Sequence, residues 1–306
     1  MNGIKDKSEL LRLYNLDLDE LLKISSMYVK DGIEFCSLIN ARNGKCSQNC
    51  KYCAQSSHYN TDIESFPIVE TTAVKEAALD ALKNKASRFA IVTSGKTPDE
   101  SDFDRMIEMI EQINKIDGLK SCASIGILNE EQAKRLAQAG LKRFHHNINT
   151  AESYYQDVCT THSFEERLNT CRLVKKYGME LCCGVILGMG ETVEQRIEMA
   201  LTLAEIQPDS IPINILMPIA NTPFESYLDK IDEEHVLRTL AVFKIANPSS
   251  ILRFCGGRMR LSPENQKKAL RTCVEGIMVG NYLTTVGANP EDDIKTVQEI
   301  GKKIKC

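Results

Sequence analysis

Several features are missing from this 306-residue chain. No apolar run reaches the ~18 residues that a membrane span needs, and the opening Met1-Asn2-Gly3-Ile4-Lys5-Asp6 has no apolar signal-peptide core. Excess charge is missing too: 38 Lys and Arg stand against 42 Asp and Glu, a net charge of −4. No polybasic field is therefore present to hold nucleic acid or anionic lipid. Pro and Gly are sparse, at 9 and 17, with no linker, internal repeat or low-complexity tract, which excludes collagen-like and disordered classes. The expectation is a cytoplasmic globular protein whose partners include neither nucleic acid nor membrane.

What is present can build a large core, since 42% of the residues are apolar. Length alone suggests about two domains of ~150 residues, although α/β barrels run longer as one unit. Twelve Cys in 306 residues fall below the ~8–10% of a disulfide scaffold, and cytosolic thiols stay reduced. Isolated thiols are expected to be buried hydrophobes, but a cluster in a polar loop needs another explanation.

The chain alternates β-prone and amphipathic helical runs. After an N-terminal helix over roughly 8–28, strands are predicted at 33–39, 88–93, 119–126, 142–149, 179–187, 209–216, 249–255 and 276–282. Thr97-Pro98-Asp99-Glu100 signals a helix start capped by Thr97, and Ser163-Phe164-Glu165-Glu166 is a capping box. Gly140 and Gly178 mark helix ends. Eight βα units with right-handed crossovers predict a single-domain α/β protein, a (β/α)8 TIM-type barrel with an N-terminal helix. Its expected divisions are helix 1–30, barrel 31–285 and C-terminal helix 286–306. In such barrels chemistry sits at the C-terminal ends of the strands.

One such loop reads Asn43-Gly44-Lys45-Cys46-Ser47-Gln48-Asn49-Cys50-Lys51-Tyr52-Cys53-Ala54-Gln55-Ser56-Ser57. Structural zinc wants four ligands, and His58 is the only local candidate for a fourth. Three Cys can instead hold three irons of a cubane cluster and leave the fourth open to a small molecule. The polar neighbours argue against simple burial.

C-x3-C-x2-C with an aromatic before the last Cys resembles the radical S-adenosylmethionine superfamily, and the string from Asn43 through Tyr59 resembles the biotin synthases within it. The likeness runs from about residue 34 to 290 through His146-Asn147-Ile148-Asn149-Thr150, Gly188-Met189-Gly190-Glu191-Thr192, Pro212-Ile213-Asn214 and Leu283-Thr284-Thr285. It implies that Cys46, Cys50 and Cys53 bind a 4Fe-4S cluster whose open iron chelates S-adenosylmethionine, and that a 5′-deoxyadenosyl radical then takes hydrogen from dethiobiotin. By the same resemblance Tyr52 packs near the adenine, Thr93 and Ser94 meet the methionyl amino group, and Arg167 pairs with its carboxylate. Asn147 contacts nucleoside and substrate, Asn149 the ribose, and Ile186 the adenosine. Asn214 grips the ureido ring, while Thr284 and Thr285 hold the substrate tail.

The resemblance also implies an auxiliary iron-sulfur cluster that gives up the inserted sulfur, usually held by three strand Cys and one Arg. Cys122, Cys182 and Arg253 match three positions, but Ala90 stands at the fourth. Strand parity puts Arg253 and Cys255 on one face, so Cys255 is the expected replacement, and puts Cys182 and Cys183 on opposite faces, with Cys182 inward. The moved ligand leaves both a 2Fe-2S and a four-iron cluster open. Asn149 replaces the usual Asp, and His145 a common Asn. The other four histidines are expected to be surface or packing residues, and Cys36, Cys159, Cys171, Cys273 and Cys306 to lie in the core or at the termini. Further expectations are a reductant protein such as flavodoxin or ferredoxin and a homodimer. The competing readings are an enzyme like the iron-hydrogenase maturase and a non-enzymatic iron-sulfur electron-transfer protein.

Overall fold

The computed structural model describes residues 2–280 and 289–305. Strands β1 (Ile33–Arg42), β2 (Arg88–Thr93), β3 (Lys120–Ser124), β4 (Arg143–His145), β5 (Glu180–Cys182), β6 (Val185–Leu187), β7 (Ser210–Ile215), β8 (Ile251–Phe254) and β9 (Gly276–Met278) are parallel and follow one another around the sheet, with β5 and β6 each pairing with β7. Pairing of β9 back onto β1, through Glu34 opposite Gly276, closes the barrel. The fold is the expected (β/α)8 barrel, with β5 and β6 as two halves of the predicted fifth strand.

Gly184 explains that break. A Cβ there would lie 1.9 Å from the Pro212 carbonyl oxygen, so the backbone approaches β7 as only glycine allows. The Gly184 N–H leaves the ladder and donates to Asn147 Oδ1 at 2.9 Å.

The strands follow one rule of parity. Ile33, Phe35, Phe89, Ile91, Phe144, Leu181, Ile213, Phe254 and Ile277 are buried in the main apolar core. Their alternating neighbours Cys36, Ala90, Cys122, His145, Cys182 and Arg253 line the barrel cavity.

The helices start where side chains satisfy the first free N–H groups. Ser163 and Glu166 form the expected box at the start of α7 (Phe164–Lys176), and Asn129 with Gln132 repeats it at α5 (Glu130–Gln138). At α4 (Glu100–Ile113) the cap is Asp99 rather than Thr97: the Asp99 carboxylate accepts from Asp102 N at 2.9 Å, while the Thr97 hydroxyl is spent on the Ile127 carbonyl at 3.0 Å. Gly140 and Gly178 take left-handed φ of 80° and 73° before β4 and β5.

Both chain ends differ from expectation. The N-terminal segment forms two helices, α1 (Lys7–Tyr14) and α2 (Leu18–Ser26), because Asn15 closes the first through its side chain onto the Leu11 carbonyl and Asp17 caps the second. At the other end, α11 (Pro290–Glu299) stops early, and β10 (Ile304–Lys305) pairs with the start of β1. Among the described residues, no helix is long and apolar enough to cross a membrane.

Candidate radical and sulfur-donor site

The floor of the barrel is ionic. Glu34 accepts from Arg88 Nε at 2.9 Å and Arg143 Nη1 at 3.0 Å, and also from Arg253 Nη2. Glu180 pairs with Arg88 and Arg143 at 2.9 and 2.7 Å. Burial pushes the Glu34 carboxyl up, but Arg253, Arg143 and Arg88 outweigh it and hold it far below the usual carboxylate range. Three guanidinium groups against two carboxylates leave one positive charge over. Arg253 is 2% exposed, and its Nη1 has no hydrogen-bond partner among the described residues.

Above this floor lies a cavity of about 340 Å3 lined by Cys36, Cys122, Cys182, Cys255 and Arg253. Burial pushes the Cys122 thiol up to about 11 and raises Cys36 and Cys255 as well. His145 Nδ1 lies 3.4 Å from Cys182 Sγ; burial, then Arg253 and Arg167, lower the ring to about 4 and keep it neutral. Cys183 lies on the opposite face, its sulfur 3.8 Å from Cys171 Sγ in the core.

Cys36 corrects the expectation of a packing thiol. It opposes Arg88 across the β1–β2 ladder and shares the inward face of Leu38 and Ala90. The parity that singles out Arg253 and Cys255 applies equally to β1 and could have found it.

At the cavity mouth the triplet loop is folded by its own backbone. Cys46 N donates to the Gln55 carbonyl at 2.9 Å, Ser57 N to the Cys46 carbonyl at 2.8 Å and Cys53 N to the Cys50 carbonyl at 3.0 Å. Ser94 Oγ anchors the loop through the Gly44 carbonyl at 2.6 Å. Cys46, Cys50 and Cys53 line one polar chamber together with Thr93, Ser94, Gly95 and Arg167. Burial raises Cys53 to about 11.

Tyr52, Cys53, Asn147 and Asn149 line both the chamber and the barrel cavity, so the two lie side by side. Asn149 adopts φ 69°, a left-handed conformation that Asn tolerates better than most residues, and its Nδ2 donates to Tyr52 Oη at 2.8 Å. Arg167 donates to Tyr155 Oη at 2.5 Å and the Asn147 carbonyl at 3.0 Å. Ile186 lines the cavity. So does Asn214, which receives the Gly256 N–H at 3.0 Å and donates to the Val185 carbonyl at 3.2 Å. Thr284 and Thr285 lie outside the described residues.

Residues 42–203 match the family model of the radical SAM superfamily, and residues 212–303 that of the Biotin and Thiamin Synthesis associated domain. The chain is 43% identical to a biotin synthase of Acetivibrio thermocellus, over 89% of this chain and 84% of that protein. It is 40% identical to one of Pelotomaculum thermopropionicum, over 95% and 93%. The chain belongs to the biotin synthase family. As a member of that family it is an enzyme, a radical S-adenosylmethionine sulfurtransferase, and the family implies a 4Fe-4S cluster and S-adenosylmethionine as cofactors.

Solved structures share the barrel. A methylornithine synthase superposes with TM-score 0.82 over 99% of this chain and 94% of its own, at 16% identity. The FeFe-hydrogenase maturase HydG from Carboxydothermus hydrogenoformans gives 0.82 over 97% and 75%, at 14% identity. At that identity the likeness is one of fold.

The donor sets fit these groups. Three thiols open onto a polar chamber, as a cluster with one iron left for a small molecule requires. Deeper in the barrel, Arg253, whose Nη1 has no hydrogen-bond partner among the described residues, lines a cavity together with four thiols besides Cys53 and suits an anionic iron-sulfur group.

Two further residues were missed. Cys159 Sγ lies 3.6 Å from Cys50 Sγ, and His162 Nε2 lies 3.4 Å from each of these sulfurs. This corrects the expectation that the triplet has no imidazole but His58 nearby, and that Cys159 and His162 merely pack. A separation of 109 residues between Cys50 and Cys159 leaves no local signal for the contact.

Proposed function

We propose that this chain makes biotin from dethiobiotin, with Cys46, Cys50 and Cys53 holding the radical-generating cluster and Cys36, Cys122, Cys182 and Cys255 holding the auxiliary cluster that donates sulfur. When bound, these groups supply one-electron hydrogen abstraction and the inserted sulfide. Everything else falls to the protein. Arg167 presents a cation to the methionyl carboxylate, and Tyr52, Asn147, Asn149 and Ile186 orient the nucleoside. Thr93 and Ser94 meet the amino group. Asn214 has amide capacity left after its two backbone bonds and grips the ureido ring, while Thr284 and Thr285 hold the tail. The closed wall excludes water and competing hydrogen donors.

The observation that carries this reading is that the triplet's chamber adjoins, through Tyr52, Cys53, Asn147 and Asn149, a cavity lined by four further thiols and by Arg253, whose Nη1 has no hydrogen-bond partner among the described residues. Cys36 supplies the thiol that Ala90 lacks. Arg253, with only part of its charge met by Glu34, stabilises the anionic cluster from below. An electron enters from a flavodoxin or ferredoxin in the reducing cytoplasm, and the working form is a homodimer.

The test is an iron and sulfide count with Mössbauer spectroscopy on anaerobically reconstituted protein. Two clusters per chain are expected, and Cys36→Ala and Cys255→Ala each deplete the auxiliary one while S-adenosylmethionine cleavage continues. A count of one 4Fe-4S per chain, unchanged in Cys255→Ala, overturns the ligand assignment. Failure to form biotin from dethiobiotin, despite release of 5′-deoxyadenosine, overturns the substrate.

A further inference from the structure

Cys159 and His162 lie outside both proposed ligand sets, yet they are built onto the triplet loop. Lys51 N donates to the Val158 carbonyl at 3.0 Å, and Asn49 Oδ1 accepts from the N–H groups of Thr160 and Thr161 at 3.0 and 3.3 Å. The segment after α6 (Tyr155–Val158) is thereby fixed against Cys50. Cys50, Cys159 and His162 are all buried, at 7%, 2% and 5% exposure.

Their spacing is that of a coordination sphere. A tetrahedral ion with sulfur at ~2.3 Å and imidazole nitrogen at ~2.0–2.1 Å sets sulfur-sulfur edges of about 3.8 Å and sulfur-nitrogen edges of about 3.6 Å. The three observed edges are 3.6, 3.4 and 3.4 Å. The imidazole is prepared as well. Arg167 Nη2 lies 3.3 Å from His162 Nε2 and can only donate, so that nitrogen presents its lone pair. His162 Nδ1 then donates to Tyr155 Oη at 2.7 Å, the outer partner that orients a ligating histidine.

We infer that, in the cluster-free chain, Cys50, Cys159 and His162 hold one divalent ion of the zinc or ferrous class, with water in the fourth position. Binding displaces the Arg167 Nη2 contact and leaves both sulfurs as thiolates, giving a neutral bis-thiolate site. Because the proposed function also assigns Cys50 to the radical-generating cluster, the ion and that cluster exclude each other. Metal at this site therefore governs whether the cluster can be loaded. The exclusion rests on that reading; the ion site itself does not.

The test uses the full chain, reduced, metal-free and anaerobic, titrated with Co2+ and followed by visible ligand-field and thiolate-to-cobalt absorption. One tetrahedral Co2+ per chain is expected. Cys159→Ala and His162→Gln should each weaken binding by more than about tenfold, whereas Cys46→Ala and Cys53→Ala should retain the spectrum. Circular dichroism checks that each variant is folded, and His162→Gln covers the case in which Cys159→Ala is not. A spectrum that survives in His162→Gln and vanishes in Cys46→Ala places the ion on the triplet and overturns the site. In a second arm, one equivalent of Zn2+ added first should slow iron-sulfide reconstitution in the natural chain and not in His162→Gln. Unslowed reconstitution beside an intact Co2+ site overturns only the shared use of Cys50.

Discussion

Replacing Glu34 by Gln tests the ionic floor that supports the proposed sulfur-donor cavity. Gln keeps the volume and one acceptor oxygen but removes the charge that faces three guanidinium groups. Arg88 and Arg143 retain Glu180 at 2.9 and 2.7 Å, whereas Arg253 loses the one carboxylate it pairs with among the described residues. Breaking a buried ion pair on one side costs about 3–5 kcal/mol, because the remaining charge stays desolvated. For a chain of this size about 2 °C of Tm accompanies each kcal/mol, so a fall of roughly 6–10 °C is expected. Scanning calorimetry of the reduced, metal-free chain at pH 7 measures it. Acid supplies a second check. Arg253, Arg143 and Arg88 hold the folded Glu34 pKa below its unfolded value, so its contribution is complete above about pH 4.3 and is lost as pH falls through the folded value. The gap between natural chain and variant should be widest at neutral pH and narrow below about pH 4. A fall of less than about 2 °C at pH 7, or a gap indifferent to acid, refutes the reasoning.

Two further substitutions probe backbone that the site depends on. Gly184→Ala forces a Cβ to 1.9 Å from the Pro212 carbonyl, and a loss above about 4 kcal/mol is expected in urea unfolding; a variant as stable as the natural chain removes the account of the broken fifth strand. Asn149→Ala at φ 69° should cost about 1–2 kcal/mol, with Asn149→Gly costing less because glycine takes that φ freely. Equal losses for the two would assign the cost to the Tyr52 hydrogen bond instead of the backbone.

Much of this protein is legible from short stretches of its sequence. The box at Ser163 and Glu166 names its own partners, and Gly140 and Gly178 announce their turns, because these signals act within one helical turn. Inward and outward faces follow from a period of two, which separates Cys182 from Cys183. Where two local signals compete, as with Thr97 and Asp99, a contact with Ile127 decides the cap, and the sequence around the helix does not contain it. The fifth strand breaks at Gly184 because of how closely Pro212 approaches.

The sequence by itself determined the barrel and the triplet loop, since hydrophobic period, capping and the spacing of Cys46, Cys50 and Cys53 are properties of neighbouring residues. Only the tertiary structure decided that Cys36 joins Cys122, Cys182 and Cys255 around one cavity, that Arg253 keeps an N–H with no partner among the described residues while pairing with Glu34, and that Cys159 and His162 reach Cys50. Barrel closure and loop packing bring those groups together across sixty to more than two hundred residues, and a chain read in order carries no distance between its distant parts.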